Sequence, residues 1–147
     1  MFSIHCSPDQ NDLSSPTWGT IYLEVDGQYY PHKLWQDCCS RVLGAWLTSA
    51  ALEEDYFENS FQEGNYAFTG RRQESNVTLD VGNKSVTLPW LGYVSILTAA
   101  ANDYLAGLSS LRPTLSAEDR SVEEVCRMLE AGKRLTFRKE RAVWSDS

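Results

Sequence analysis

Residues 18–52 read WGTIYLEVDGQYYPHKLWQDCCSRVLGAWLTSAAL, and the apolar spacing changes partway along them. Ile21, Leu23 and Val25 alternate with Tyr22, Glu24 and Asp26, the period of a strand with one buried face. Asp26-Gly27 predicts a tight hairpin turn, because both residues tolerate positive φ. A short return strand over 28–30 then ends at Pro31. Beyond it the apolar residues fall three and four apart: Leu34, Trp35, Cys38, Val42, Leu43, Trp46, Leu47 and Ala50. That stripe predicts a helix over 33–52 with one wide face toward a core. A hairpin followed by a helix, with no alternating βαβ pattern, points to the α+β class.

Further along, 56–61 and 66–70 are strand candidates separated by Gln62-Glu63-Gly64-Asn65. Asn76–Val81 alternates through Val77, Leu79 and Val81, and Gly82-Asn83 turns the chain into a return strand over 84–88. With the first hairpin, these strands predict one antiparallel sheet of five or six strands. Pro89 suits the first turn of a second helix, where its missing N–H costs nothing, and Gly107 suits the residue beyond its end. Ser116 is a good N-cap for a third, shorter helix with Glu118 and Asp119 in its first turn, and Gly132 closes it. The expected fold is therefore α+β, an antiparallel sheet of five or six strands packed with two longer helices and one shorter helix. Residues 1–16 have no core-forming pattern and predict a polar lead-in. Residues 17–138 then form a single α+β domain, with a possible last strand around Leu135 and Phe137. Residues 139–147 form a tail in which Trp144 alone is suited to docking.

The chain has 147 residues, of which 42% are apolar and 22% charged, the usage of an ordinary globular domain. The net charge of -7 disfavours phosphate backbones and anionic membrane surfaces as partners and does not disfavour a basic protein. Residues 1–10 show neither a basic nor an apolar region of a secretory signal, and the apolar stretch over 88–108 is broken by Asn102 and Asp103. A cytoplasmic location is the expectation. Cys6, Cys38, Cys39 and Cys126 form no C-x-x-C pair and read as small buried side chains. His5 and His32 have no second histidine at metal spacing, and neither a nucleophile elbow nor a dinucleotide-binding glycine pattern occurs. Residues 81–85, VGNKS, lack the first glycine of a phosphate-binding loop. The expectation is a protein without cofactor, metal or catalytic activity. A pocket holding His32 beside Asp37 would argue the other way.

Charge and aromatic content point to a binding role. Residues 1–70 hold ten acidic and two basic residues, and residues 112–147 hold seven acidic and eight basic. The densest acidic group is Glu53, Glu54, Asp55, Glu58 and Glu63. Charge complementarity of this kind speeds encounter with a basic partner and selects it. Tyr56 and Tyr66 flank the group as anchors, since tyrosine buries much area at low entropic cost. The candidate partner-binding set is thus Glu53, Glu54, Asp55, Tyr56, Glu58, Glu63 and Tyr66.

Three motifs in the first half carry a resemblance. They are Gly27-Gln-Tyr-Tyr-Pro31, Trp35-Gln-Asp37 and Val42-Leu43-Gly-Ala-Trp46-Leu47. This G-x-x-[FY]-P, W-x-D, V-L-x-x-W-L order resembles small bacterial immunity proteins of polymorphic and contact-dependent toxin systems. The resemblance covers about 30 residues. Where those proteins often carry a large apolar residue after W-x-D, this chain has Cys38-Cys39. Read physically, Pro31 ends the hairpin, Trp35 and Trp46 pack the helix onto the sheet, and Asp37 hydrogen-bonds a nearby loop. The resemblance implies a non-catalytic cytoplasmic protein that neutralises a cognate toxin domain by covering its active site, with no direct contact to nucleic acid or membrane. The alternative is a small acidic ligand-binding or adaptor domain of an unrelated pathway, built around a pocket lined by tyrosine and tryptophan.

Overall fold

The computed structural model describes residues 1–11 and 17–146. In chain order the elements are β1 (Phe2–Pro8), β2 (Trp18–Val25), β3 (Gln28–Tyr30), β4 (Gln36–Cys38), α1 (Cys39–Leu52), β5 (Tyr56–Ser60) and β6 (Ala67–Gln73). They continue with β7 (Asn76–Val81), β8 (Lys84–Pro89), α2 (Trp90–Ser109), α3 (Ala117–Glu130), β9 (Lys133–Arg138) and β10 (Arg141–Asp146). The class is α+β, and all strand pairing is antiparallel.

The single sheet expected from the sequence is instead three small ones. In the first, β2 pairs β1 on one side and both β3 and β4 on the other. The second is the meander β5-β6-β7-β8, and the third is the hairpin β9-β10. Strand period reveals which side chains face inward but not which strand edges meet. Here α1 follows β4 directly and carries the chain away before the meander begins, so the two larger sheets never share a ladder. They are joined through side chains. The Tyr30 hydroxyl donates to the Ala67 carbonyl at 2.9 Å and accepts from the Ala67 N–H at 3.2 Å. The Tyr30 ring also packs edge-on against Phe61 and Tyr66.

All three sheets and all three helices feed one apolar core. Its centre is Trp46 of α1, which is fully buried and meets Phe61 and Phe68 edge-to-face at 5.1 and 5.0 Å. The geometry is the one the ring quadrupoles favour. The Trp46 indole N–H donates to the Ser60 carbonyl at 2.9 Å, so its polar atom is satisfied as well. Phe2 of β1 reaches Phe68 and Tyr93 from the opposite side.

Four further boundaries differ from expectation. The proposed lead-in contains β1, which pairs with β2 along its whole length and buries Phe2 and Ile4. Alternation is present there, Phe2-Ser3-Ile4-His5, but short and next to polar residues. The part of the expected lead-in over residues 12–16 lies outside the described residues. The first helix begins at Cys39 rather than Lys33, because Leu34 has φ 63° and 36–38 pair with 18–20. The proposed tail carries β10, where Trp144 lies across from the buried Leu135. The second helix runs through Gly107 to Ser109. A Cβ on Gly107 would sit 2.8 Å from Pro8 Cδ, so this glycine admits β1 against the helix instead of ending it. Gly70 serves a similar need, since Phe57 of the neighbouring strand lies across it and would meet a Cβ at 2.0 Å.

Candidate interaction surface

Asp37 organises the surroundings of the acidic residues. It is fully buried, and all of its bonds come from N–H groups. The Trp35 indole donates to Oδ2 at 3.0 Å, the Cys38 amide to Oδ1 at 2.7 Å and the Glu63 amide to Oδ2 at 3.1 Å. The W-x-D spacing thus has a local meaning: two residues along a strand, the indole folds back onto the carboxylate. Its third bond reaches the β5–β6 turn, the nearby loop anticipated from the sequence. Around that turn Tyr66 packs edge-on against Trp35 at 5.2 Å, against Tyr30 at 5.8 Å and against His32 at 6.1 Å. His32 therefore stands in an aromatic cluster, and the Asp37 carboxylate accepts its hydrogen bonds from the three N–H donors.

The seven candidate residues divide into three groups. Glu53 ends α1 at φ 52°, half-buried; its carboxylate lies 3.9 Å from Arg134 and its carbonyl accepts from Arg72 at 3.1 Å. Glu54, Asp55, Tyr56 and Glu58 are exposed along the approach to β5 and on its outward face, with Tyr56 51% exposed. Glu63 is exposed in the β5–β6 turn, and Tyr66 is half-buried at its end. A groove of about 380 Å³ joins the second and third groups, lined by Glu58, Ser60, Phe61, Gly64, Asn65, Tyr66 and Ala67. Glu53 stands apart because cations already engage it.

Sequence reading did not single out Arg71 and Arg72. Arg71 lies opposite Tyr56 in the ladder and is exposed. Arg72 stacks on Trp90 with its guanidinium carbon 4.1 Å from the ring centre. Hairpin register was the signal that would have placed both, and it depends on the turn geometry over 61–66.

A second buried carboxylate, Asp119, lies outside this surface. The Tyr104 hydroxyl donates to it at 2.7 Å, Ser116 at 2.7 Å and Thr17 at 3.1 Å, and Arg112 lies at 3.8 Å. Burial raises the Tyr104 hydroxyl well above its ordinary range, and the Asp119 hydrogen bond adds to this. Burial likewise pushes the Cys126 thiol up to about 12, with Glu130 adding to it, and raises Cys38 and Cys6. These thiols are protonated at neutral pH. Among the described residues no group of three or more His, Cys, Asp or Glu side chains is arranged to hold a metal ion. No helix of the described residues is long and apolar enough to cross a membrane.

Compared with known proteins, the chain matches no family model, no curated protein and no solved structure.

Proposed function

We propose that this chain is a non-catalytic binding protein, and most concretely an immunity protein that neutralises a basic toxin domain by covering its active site. The observation that carries the proposal is the line of exposed acids Glu54, Asp55, Glu58 and Glu63, with Tyr56 among them. The turn that holds Glu63 is fixed to the protein by Asp37. A preorganised acidic surface with an aromatic anchor suits a basic partner, because little entropy is lost on docking. Occlusion of a nuclease would follow from the same charge, since the acidic face competes with nucleic acid for a cationic site. The W-x-D and V-L-x-x-W-L resemblance supports the toxin-directed form of this reading. A cytoplasmic location is part of it.

A ligand-binding or adaptor domain is less well supported. The groove of about 540 Å³ between α1 and α3 is lined by Ser40, Gly44, Ala45, Thr48, Leu52, Glu118 and neighbouring residues, without a tyrosine or tryptophan. The test is co-expression with the C-terminal region encoded by the neighbouring upstream gene. Rescue from toxicity and a one-to-one complex are expected. Absence of both rescue and complex would overturn the reading. Triple reversal of Glu54, Asp55 and Glu58 to lysine is expected to abolish rescue while the protein stays folded.

A further inference from the structure

β5 is the end strand of its sheet, pairing only with β6. The bonds that flank it reveal which backbone groups face outward. Arg72 N–H donates to the Asp55 carbonyl at 2.7 Å, and Phe61 N–H donates to the Tyr66 carbonyl at 2.9 Å. Asp55 and Phe61 are therefore ladder-bonded positions, as are Phe57 and Asn59 between them. Tyr56, Glu58 and Ser60 alternate with these, so their N–H and C=O groups point away from β6. The Trp46 indole takes the Ser60 carbonyl. Among the described residues, nothing takes the outward groups of Tyr56 and Glu58.

An edge of this kind is a template for another strand, and proteins commonly guard it with charge. The guard here has one sign. Glu54, Asp55 and Glu58 lie along the edge, and Glu63 stands in the turn beyond it. Arg71 is one strand further in. The opposite edge of the sheet is defended differently: β8 begins at Lys84 and ends at Pro89, which has no N–H to offer. Acids along β5 repel a second copy of the same edge and favour a cationic chain.

We infer that the β5 edge accepts an extended basic segment of a protein partner as an added strand, bonded to the backbone of Tyr56 and Glu58. Its alternate side chains lie over Tyr56 and Glu58 on the exposed face of β5, and the groove between Glu58 and Tyr66 receives its end. This rests on the reading of the acidic residues as a partner-binding face and states how the partner is held.

The test uses the whole protein and a seven-residue synthetic peptide alternating lysine and threonine. A second peptide of the same sequence and charge carries N-methyl groups on alternate amides, which removes its strand edge and keeps its charge. Binding is followed by fluorescence anisotropy and by hydrogen exchange at the backbone amides. The expected result is at least tenfold weaker binding of the methylated peptide, with new protection at the Tyr56 and Glu58 amides. Glu58→Pro is expected to weaken binding further than Glu58→Gln, because it removes an outward N–H that the β5–β6 ladder does not use. Equal binding of both peptides, lost on reversal of Glu54, Asp55 and Glu58, would overturn strand addition and leave the acidic-face reading standing. Failure of both peptides to bind would overturn strand addition, and toxin rescue would then judge the acidic face by itself. Protection at Ser85 and Thr87 instead would assign the wrong edge.

Discussion

Asp37 and Asp119 are both fully buried carboxylates, yet the protein holds them in different ways. Asp37 is surrounded by three N–H donors with fixed directions. Asp119 is surrounded by three hydroxyls, with Arg112 nearby. A hydroxyl rotates and can accept as readily as it donates, whereas an indole or amide N–H can only donate. The first site therefore demands a carboxylate, and the second demands a polar group of about that size. The difference matters for function because Asp37 fixes the β5–β6 turn beside the acidic edge, while Asp119 ties α3 to α2 and to Thr17.

The largest expected effect is at Asp37. Asp37→Ala strands three buried donors and is expected to cost about 3 kcal/mol or more in urea unfolding. Asp37→Asn is expected to come close to this, because its NH₂ must face an N–H. Asp119→Asn is expected to cost about 1 to 2 kcal/mol, since the hydroxyls reverse and only the attraction of Arg112 is lost. Equal costs for the two asparagine variants would break the comparison.

Thiols near each site sharpen it. The Cys38 amide donates to Asp37, and Cys126 lies on the same helix as Asp119. Asp37→Asn is expected to speed alkylation of Cys38 more than of Cys126, and Asp119→Asn the reverse, as read by mass spectrometry. Cys126 adds a pH dependence. Its thiol is raised from an ordinary 9.0 to about 12 in the folded protein. The unfolded chain thus releases its proton first, so stability is fully present below pH 9.0 and falls as pH rises from there toward about 12. Cys126→Ala is expected to flatten the decline in urea midpoint over that interval.

Smaller effects belong to the surface. Reversal of Glu54, Asp55 and Glu58 is expected to change stability by no more than about 0.5 kcal/mol per site. Any loss of partner binding in that variant would therefore report the interface rather than the fold. The smallest effect is expected at the exposed Asp146, whose carboxyl the Lys133 ammonium holds below its ordinary value. Asp146→Asn is expected to leave the thermal midpoint unmoved at neutral pH, because exposed pairs are screened.

Much of this protein was legible from local pattern. The Ile21, Leu23, Val25 alternation, the Asp26-Gly27 turn, the Gly82-Asn83 hairpin and the Ser116 cap each depend on residues within a turn or two of one another. Ser116 does cap α3, accepting the Asp119 amide at 3.1 Å. The acidic cluster was legible as composition. What was not legible depends on contacts across the chain. Leu34 at positive φ and Asp37 in a strand delay the start of the helix, and the Asp37 carboxylate draws one donor from a residue 26 positions away. The division into three sheets depends on where α1 takes the chain, and Gly107 was misread because the chain it admits, Pro8, lies far away in sequence. Spacing along the chain determines which side chains can share a face, because backbone geometry repeats over a few residues. Which edges stay open, which acids meet a cation, and so which part of the acidic surface is free for a partner were decided only when distant segments packed together.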